Sequence, residues 1–420
     1  MVRRSPELRL RRQLGLVDAT AVALGAIVGA GVFVTLGEAA ATTGGSLPLA
    51  LVLGAAVATL NGLSAAELGV TYPRAGGAYE FGYQVLTPLL AFLSGWVFLL
   101  AAMTASATYT LTFAAYVQPL LPGVPPRLLG VALALVAVAL NVRGVSVSAS
   151  ANRTFVVLKV GVLLVFVGLG LSAVDVRNFQ PFLVGGPAGL IQAGALLFFA
   201  YTGYARPVTI VEEIRDPRRT LPRAVVIALG GSLGLYLMVA VVALGLVGPS
   251  ALGQSAAPLR EAAAATGVGF APNLLSLGAL VATVSVLLTE LWGLSRLMFA
   301  MARRGDLPAW LGRLSGAART PRQAVLAVGA IVVLLTALLD LRPLLEASSL
   351  SLLLYYGVVN LAALRLRPDQ RLYPRLVPAA GLLGCLSLAF FLPPTALLVV
   401  ALTALAGLAY YVYLRPGRGA

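Results

Sequence analysis

The chain has 420 residues, of which 59% are hydrophobic and only 11% are charged, and its net charge is +15. This composition excludes a soluble globular domain and indicates a polytopic membrane protein. With one cysteine and no histidine, the sequence also excludes structural disulfides, a Cys/His metal site and a Ser-His catalytic triad.

The apolar segments predict an all-α membrane protein. A membrane-spanning helix needs roughly 20 predominantly apolar residues. The sequence predicts twelve spans, centred near residues 26, 56, 100, 133, 163, 200, 236, 287, 331, 354, 383 and 404. Because the connectors are short, we treat residues 1–420 as one membrane unit with no separate soluble domain.

The placement of the basic residues predicts the orientation of the chain. With the N-terminus in the cytoplasm, the inner segments carry 23 Lys and Arg residues and the outer connectors carry four. This asymmetry follows the positive-inside rule and predicts that both termini are cytoplasmic in a cell membrane. The basicity therefore reflects topology, and we expect no nucleic-acid partner.

The first span, centred near residue 26, carries three glycines at its middle, in the segment GAIVGAGVFV. Each glycine weakens a helix by about 1 kcal/mol relative to alanine. Close helix packing is one explanation, because Gly25 and Gly29 form a small-xxx-small pair. The other is a break, which would expose backbone N–H groups at the start of an outer half-helix, where an anion is favoured.

The fifth span contains the only lysine of the chain, Lys159, alongside 29 arginines elsewhere. A buried lysine can lose its proton, whereas an arginine effectively cannot. An ionisable group inside a span is a functional candidate, although the side chain could also snorkel toward the interface near Arg153. We favour a functional role for Lys159 over snorkelling.

The sixth span contains a second predicted break, in the segment FFAYTGYARPV. Gly203 weakens the helix, and Pro207 removes a backbone donor and disfavours helix at Arg206. Breaks in spans one and six lie five spans apart, so the two segments run in opposite directions. This is the pattern of inverted-repeat transporters, and it favours a ligand site over simple packing. Carbonyls freed near Tyr201–Gly203 would suit an ammonium group.

Two further charges lie within predicted spans, Arg206 in span six and Glu290 in span eight. If they pair, the site is nearly neutral, which favours a neutral substrate. If Glu290 instead faces the site alone, an arginine- or lysine-like substrate is favoured.

Four motifs in order resemble amino acid permeases of the amino acid–polyamine–organocation superfamily. They are GAIVGAGVF, AELGVTYPRAGGAYEF, FFAYTGYARPVTIVEEIRDPRRTLPRAV, and SRLMFAMARRGDLP followed by RTP. The resemblance runs from about residue 14 to 322 and implies the leucine-transporter-type fold. On this basis residues 14–175 form the first five-helix repeat, residues 186–367 form the inverted second repeat, and residues 372–414 form helices eleven and twelve.

The resemblance also implies a set of site residues. The family's contacts to a substrate carboxylate fall on Gly29, Ala30 and Gly31, and its carbonyl contacts to the substrate amine fall on Ile27, Phe199 and Thr202. Tyr201, Tyr204, Arg206 and Glu290 are expected as gate or side-chain contacts. Lys159 matches a helix-five lysine that takes the place of sodium in sodium-coupled relatives, and Ser285 and Thr289 are its expected oxygen partners.

The sequence therefore predicts a sodium-independent secondary transporter that works by alternating access, as a symporter of a neutral amino acid with protons. An amino acid exchanger and a cationic amino acid or polyamine permease remain alternatives. The expected partners are the amino acid, protons and the lipid bilayer. We expect no enzymatic activity, cofactor, catalytic residue, metal or disulfide-linked partner, and the chain has no Walker motif for coupling to ATP hydrolysis.

Overall fold

The computed structural model describes residues 13–73, 77–144, 149–315 and 320–414. Across these ranges the chain is helical, and its β pairing is limited to two isolated bridges. Numbered in chain order, the α-helices are α1 (Leu16–Ile27), α2 (Gly31–Thr43), α3 (Leu47–Thr71), α4 (Gly77–Val85), α5 (Pro88–Val117), α6 (Pro126–Val142), α7 (Ala149–Gly170), α8 (Gly186–Phe198), α9 (Arg206–Thr209), α10 (Pro217–Gln254), α11 (Pro258–Ala264), α12 (Ala271–Arg304), α13 (Arg322–Leu338), α14 (Leu341–Leu364), α15 (Leu376–Phe390) and α16 (Pro394–Leu414).

The helices agree with the prediction of a multi-pass membrane protein. Eight helical stretches within the described residues are long and apolar enough to cross a membrane, and four shorter apolar helices accompany them. Each of the twelve predicted centres lies in a helix or, for span six, in the 3-10 segment that follows α8. The number of crossings itself remains a prediction.

In four cases, two spans that are five apart in the chain pack against each other. Taking α1 and α2 as span one and α8 with the segment after it as span six, these two spans are in contact. The second and seventh spans (α3 and α10), the third and eighth (α5 and α12), and the fourth and ninth (α6 and α13) also pack together. This pairing places the middle of span one next to the middle of span six.

Burial differs strongly between central and peripheral helices. In the most apolar window of α14, 78% of the residues are buried inside the protein, against 17% in α16. The exposed leucines of α16, such as Leu398, Leu402 and Leu405, therefore form an apolar outer surface suited to lipid. The polar and broken segments lie among the central helices.

The first span is broken as predicted. Helix α1 ends at Ile27 and α2 begins at Gly31. In between, the N–H of Gly29 donates to the carbonyl of Ile27 at 2.7 Å, which closes a tight turn in place of the helical i−4 hydrogen bond. The glycines therefore coincide with a change of backbone path and do not merely allow close packing of an intact helix.

The sixth span differs from the prediction in the form of its break. Helix α8 ends at Phe198, and the chain continues as a 3-10 helix over Phe199–Ala205 before α9 starts at Arg206. A 3-10 helix keeps i−3 hydrogen bonds, so the backbone is tightened here and not unwound. Pro207 does not end the helix, because it occupies the second position of α9, where no intrahelical N–H bond is needed.

Two of the sequence motifs meet at one end of the bundle. Tyr79 and Tyr83 of α4 donate to Asp306, just after α12, at 2.7 and 2.6 Å. Glu80 of α4 accepts from Arg304 at 2.7 Å. These contacts fasten the short helix α4 to the end of α12, far from the breaks.

Candidate functional site at the crossing of two broken helices

The two breaks cross in direct backbone contact at two glycines. A Cβ atom added to Gly203 would overlap the backbone of Ala26 and Ile27 at the end of α1. A Cβ added to Gly31 would lie 2.6 Å from the Cα of Ala200 in the 3-10 segment. Only glycine allows this approach, because any larger residue would push the two spans apart.

Gly31 therefore has a packing role that the sequence did not indicate. A bulky residue at Gly31 would block the approach of a ligand to the backbone at the start of α2. Since Gly31 faces the backbone of Ala200, such a change would also separate α2 from the 3-10 segment. Loss of binding in a Gly31 variant would therefore not isolate the ligand site.

The start of α2 presents backbone N–H groups at the crossing. The N–H of Phe33 donates to the carbonyl of Ala30 at 3.1 Å. Within the described ranges, no hydrogen bond is found for the N–H groups of Ala30, Gly31 and Val32, all of which are buried. Buried N–H groups at a helix N-terminus favour an anion, such as a carboxylate.

The three carbonyls expected to receive an amine already have hydroxyl partners. The carbonyl of Ile27 accepts from Tyr236 at 2.8 Å, that of Phe199 accepts from Thr202 at 2.9 Å, and that of Thr202 accepts from Tyr356 at 3.4 Å. The expectation that these oxygens are free is wrong for this conformation. A carbonyl has two lone pairs, but the carbonyl of Ile27 also accepts from the N–H of Gly29 at 2.7 Å, so in this conformation neither that oxygen nor that N–H is available to a ligand.

Tyr236 and Tyr356 are site residues that sequence reasoning missed. The hydroxyl of Tyr236, from α10, also lies 3.3 Å from the carbonyl of Ala200, so it joins both breaks. The sequence contains one indication of this role: Tyr236 is the only tyrosine in the aliphatic segment of residues 221–247. Tyr356, from α14, follows Tyr355 in a polar segment and gave no comparable signal.

Tyr201 and Tyr204, expected as gate residues, are fully buried. The hydroxyl of Tyr201 donates to the carbonyl of Leu51 in α3 at 3.3 Å, and its ring lies 5.4 Å from that of Tyr236. The ring of Tyr204 lies 5.0 Å from that of Tyr356. Both rings pack between helices, so neither stands at an opening in this conformation.

Lys159 contacts the first span and does not snorkel. Its side chain is 1% exposed, and Nζ donates to the carbonyl of Gly25 at 3.4 Å. Gly25 lies in the last turn of α1, where carbonyls lack intrahelical donors and the helix dipole favours a cation. The ammonium therefore lies at the α1 end of the first break.

Ser285 and Thr289 are not the partners of Lys159 in this conformation. The hydroxyl of Ser285 donates to the carbonyl of Ala282 at 3.0 Å, and that of Thr289 donates to the carbonyls of Ser285 and Val286 at 3.0 and 2.9 Å. Both hydroxyls thus bond back to their own helix, a common arrangement for Ser and Thr inside helices. The expected link from Lys159 to span eight is absent among the described residues.

Arg206 and Glu290 form an ion pair beside the crossing. Nη2 of Arg206 lies 2.8 Å from Oε2 of Glu290, and the side chains are 36% and 19% exposed. By contrast, every residue from Gly31 to Gly37 is buried. Because a charged pair in hydrocarbon is costly, this exposed surface is expected to face a water-filled path on the α1 side of the crossing.

Comparisons with known proteins identify the family of the chain. The amino acid permease family matches residues 14–414. An uncharacterized transporter of Mycobacterium tuberculosis is 39% identical over 96% of this chain and 91% of its own length. The branched-chain amino acid permease BcaP of Bacillus subtilis is 29% identical, covering 91% of this chain and 89% of the relative. Cationic amino acid transporter 4 of Homo sapiens is 31% identical, covering 86% and 60%. The chain belongs to the amino acid permeases of the amino acid–polyamine–organocation superfamily and is a multi-pass membrane transporter.

Proposed function

We propose that this transporter carries a neutral amino acid together with protons, independently of sodium, by alternating access. It would lie in the cell membrane with twelve crossings and both termini in the cytoplasm. The single observation that carries the proposal is the crossing of two helix breaks, which brings buried N–H groups of α2 close to the carbonyls of the 3-10 segment. An amino acid has the matching carboxylate and ammonium on one carbon.

The contacts between helices support two inverted five-helix repeats, residues 14–175 and 186–367, followed by two helices in residues 372–414. In such a fold, each helix of the first repeat has a counterpart five spans later. The contacts of the first with the sixth span, and of the next three spans with their counterparts, have this pattern. Transporters of this kind bind substrate where the two discontinuous helices meet.

In the proposed complex, the substrate carboxylate accepts hydrogen bonds from Gly29, Ala30 and Gly31, and the ammonium donates to the carbonyls of Ile27, Phe199 and Thr202. The N–H of Gly29 now donates to the carbonyl of Ile27, and the three oxygens accept from hydroxyls of Tyr236, Thr202 and Tyr356. The Gly29–Ile27 hydrogen bond must therefore open when the substrate binds, so binding is coupled to a local rearrangement of the first break.

Proton coupling is assigned to Lys159. A protonated Lys159 donates to the carbonyl of Gly25 and so connects α7 to the end of α1. A neutral amine would lose the favourable interaction of a positive charge with the C-terminal end of the α1 dipole. Loss of the proton would release α1, which is the motion that alternating access requires of the inner half of span one. The burial of Lys159 and the lack of any histidine in the chain support this choice.

The ion pair supports a neutral substrate. Glu290 is paired with Arg206, so an arginine- or lysine-like side chain would meet a positive charge as well as a negative one. An exchanger remains the second candidate, because the contact of Lys159 with Gly25 would serve a fixed structural cation equally well. A cationic amino acid or polyamine permease is the third, because one relative is a cationic amino acid transporter.

The test is uptake of radiolabelled amino acids into proteoliposomes containing the purified protein. We expect uptake of a neutral amino acid that increases when the external solution is made acidic and does not require sodium. Uptake that depends on internal amino acid but ignores the pH gradient would identify an exchanger. Uptake of lysine or spermidine in place of neutral amino acids would contradict the neutral substrate.

A further inference from the structure

We propose that the Arg206–Glu290 ion pair is the subsite for the substrate side chain, and that it selects an uncharged side chain with a hydrogen-bond donor, that is, a hydroxyl or an amide. This inference rests on the proposed function, since it assumes that the amino acid backbone binds at the crossing. It goes further because it assigns a chemical class to the side chain and a selective role to two residues.

The ion pair lies one helical turn from the crossing on both sides. A Cβ added to Gly29 would lie 2.9 Å from a methyl group of Val286, so Val286 of α12 faces the first break. Glu290 follows four residues later and is on the same face of the helix. Arg206 begins α9, directly after the 3-10 segment that contains Thr202. A side chain that extends from a substrate at the crossing toward the α1 side therefore reaches the pair.

Aromatic rings connect the ion pair to the crossing. The ring of Tyr109 lies 5.7 Å from that of Phe199, at the start of the 3-10 segment. Tyr109 and Tyr356 are both close enough to Glu290 and Arg206 to interact with them electrostatically. The two tyrosines thus lie in the same region as the ion pair, beside the predicted backbone site.

Space at Gly293 lets the guanidinium lie along α12. Nη2 of Arg206 contacts Glu290, and Nη1 lies 3.6 Å from where a Cβ on Gly293 would be. Glu290 accepts this hydrogen bond through Oε2. Among the described residues its Oε1 has no donor, so this oxygen can accept a hydrogen bond from a ligand. A side chain that donates a hydrogen bond can therefore reach the carboxylate while the ion pair stays intact.

The charges exclude other classes of side chain. A cationic side chain is repelled by Arg206 and an anionic one by Glu290. A branched apolar side chain would remove water from the partly exposed pair without replacing its hydrogen bonds. A hydroxyl or amide replaces that water with a direct hydrogen bond. Sites built in this way reject an isosteric analogue that lacks the polar group.

Isosteric substrate pairs test the inference. Uptake into proteoliposomes would be measured for threonine against valine and for asparagine against leucine, with lysine and glutamate included. We expect the polar member of each pair to have a kcat/KM about tenfold higher or more. In the double variant Arg206→Met/Glu290→Leu, which leaves no charge unpaired, this ratio should fall to about one or reverse.

A second ion pair provides a matched control. Arg127 and Asp340 lie 2.6 Å apart with exposed side chains, away from the crossing. The double variant Arg127→Gln/Asp340→Asn should keep the wild-type preference. All proteins would be checked for a monodisperse peak and a thermal unfolding transition in detergent, so that a variant that does not fold is recognised. If the site double variant fails this check, Glu290→Gln replaces it, and its polar-to-apolar ratio should still fall.

The outcomes separate this inference from the proposed function. If valine and leucine are transported as well as threonine and asparagine, or if lysine is preferred, the inference is wrong while amino acid transport stands. A polar preference that survives in the folded site variant also overturns it, because selection then lies elsewhere. If the folded wild-type protein transports no amino acid, the proposed function itself fails.

Discussion

The breaks in spans one and six differ in backbone geometry. In span one, three residues leave the helix, and buried N–H groups at the start of α2 have no partner in the described chain. In span six, the helix narrows to a 3-10 segment, and its carbonyls accept hydrogen bonds from hydroxyls of Thr202, Tyr236 and Tyr356. The proposed substrate site would therefore combine open donors in span one with acceptors in span six that already have partners.

The largest expected effect comes from separating the two breaks. In Gly203→Ala, the added Cβ overlaps the backbone of α1, so the spans must move apart. We expect a destabilisation of about 3 kcal/mol or more, seen as loss of monodisperse protein or a much lower unfolding temperature. Gly161→Ala is the matched control, because a Cβ there meets nothing within 4 Å and alanine favours the helix. If the two variants were equally stable, the close backbone approach of the two spans at Gly203 would be contradicted.

The second effect concerns the lysine that holds the first break. Lys159→Ala loses the ammonium at the end of α1, so uptake should no longer respond to the external pH, while substrate binding survives in part. Lys159→Arg should bind substrate but transport poorly, since its charge cannot be discharged. The measurement is initial uptake against external pH for the wild type and both variants. An alanine variant with the full pH response would place the proton site elsewhere, with Glu290 the next candidate.

The third effect tests whether the charges beside span six act as a pair. Arg206→Ala and Glu290→Ala each leave a charge without its partner, so the double variant should be less damaged than the sum of the two losses predicts. We expect a coupling energy of about 1 kcal/mol in thermal or denaturant unfolding. The exposed pair Arg127 and Asp340 should give less than about 0.5 kcal/mol. If the losses at Arg206 and Glu290 were additive, the two residues would not act as a pair, and a cationic substrate would again be favoured.

The smallest effect concerns the hydroxyls of span eight. Because Ser285 and Thr289 bond to carbonyls of their own helix, Ser285→Ala and Thr289→Val should leave the pH response of uptake unchanged. Stability should change by at most about 1 kcal/mol. A lost pH response in either variant would show that these hydroxyls meet Lys159 in another conformation, and that the two breaks are linked through α12.

The sequence predicted the positions of the breaks better than their contacts. Glycine spacing and the Arg206–Pro207 dipeptide indicated where the helices change, because such residues act on the local backbone. The contacts of Gly203 with Ala26 and of Gly31 with Ala200 join residues far apart in the chain, and no local pattern encodes them. For the same reason the pairing of Lys159 with Gly25, and not with Ser285 or Thr289, could not be read from spacing along one helix.

The most direct test of the account is whether each break recognises one charge of the substrate. Binding to the purified protein would be measured by calorimetry for the amino acid that uptake selects, for its carboxamide and for its N-acetyl derivative. We expect both derivatives to lose at least about tenfold in affinity, because the carboxamide lacks the anion for α2 and the N-acetyl derivative lacks the cation for the 3-10 segment. If either derivative binds as tightly as the amino acid, the corresponding break does not bind the substrate, and the central claim is contradicted.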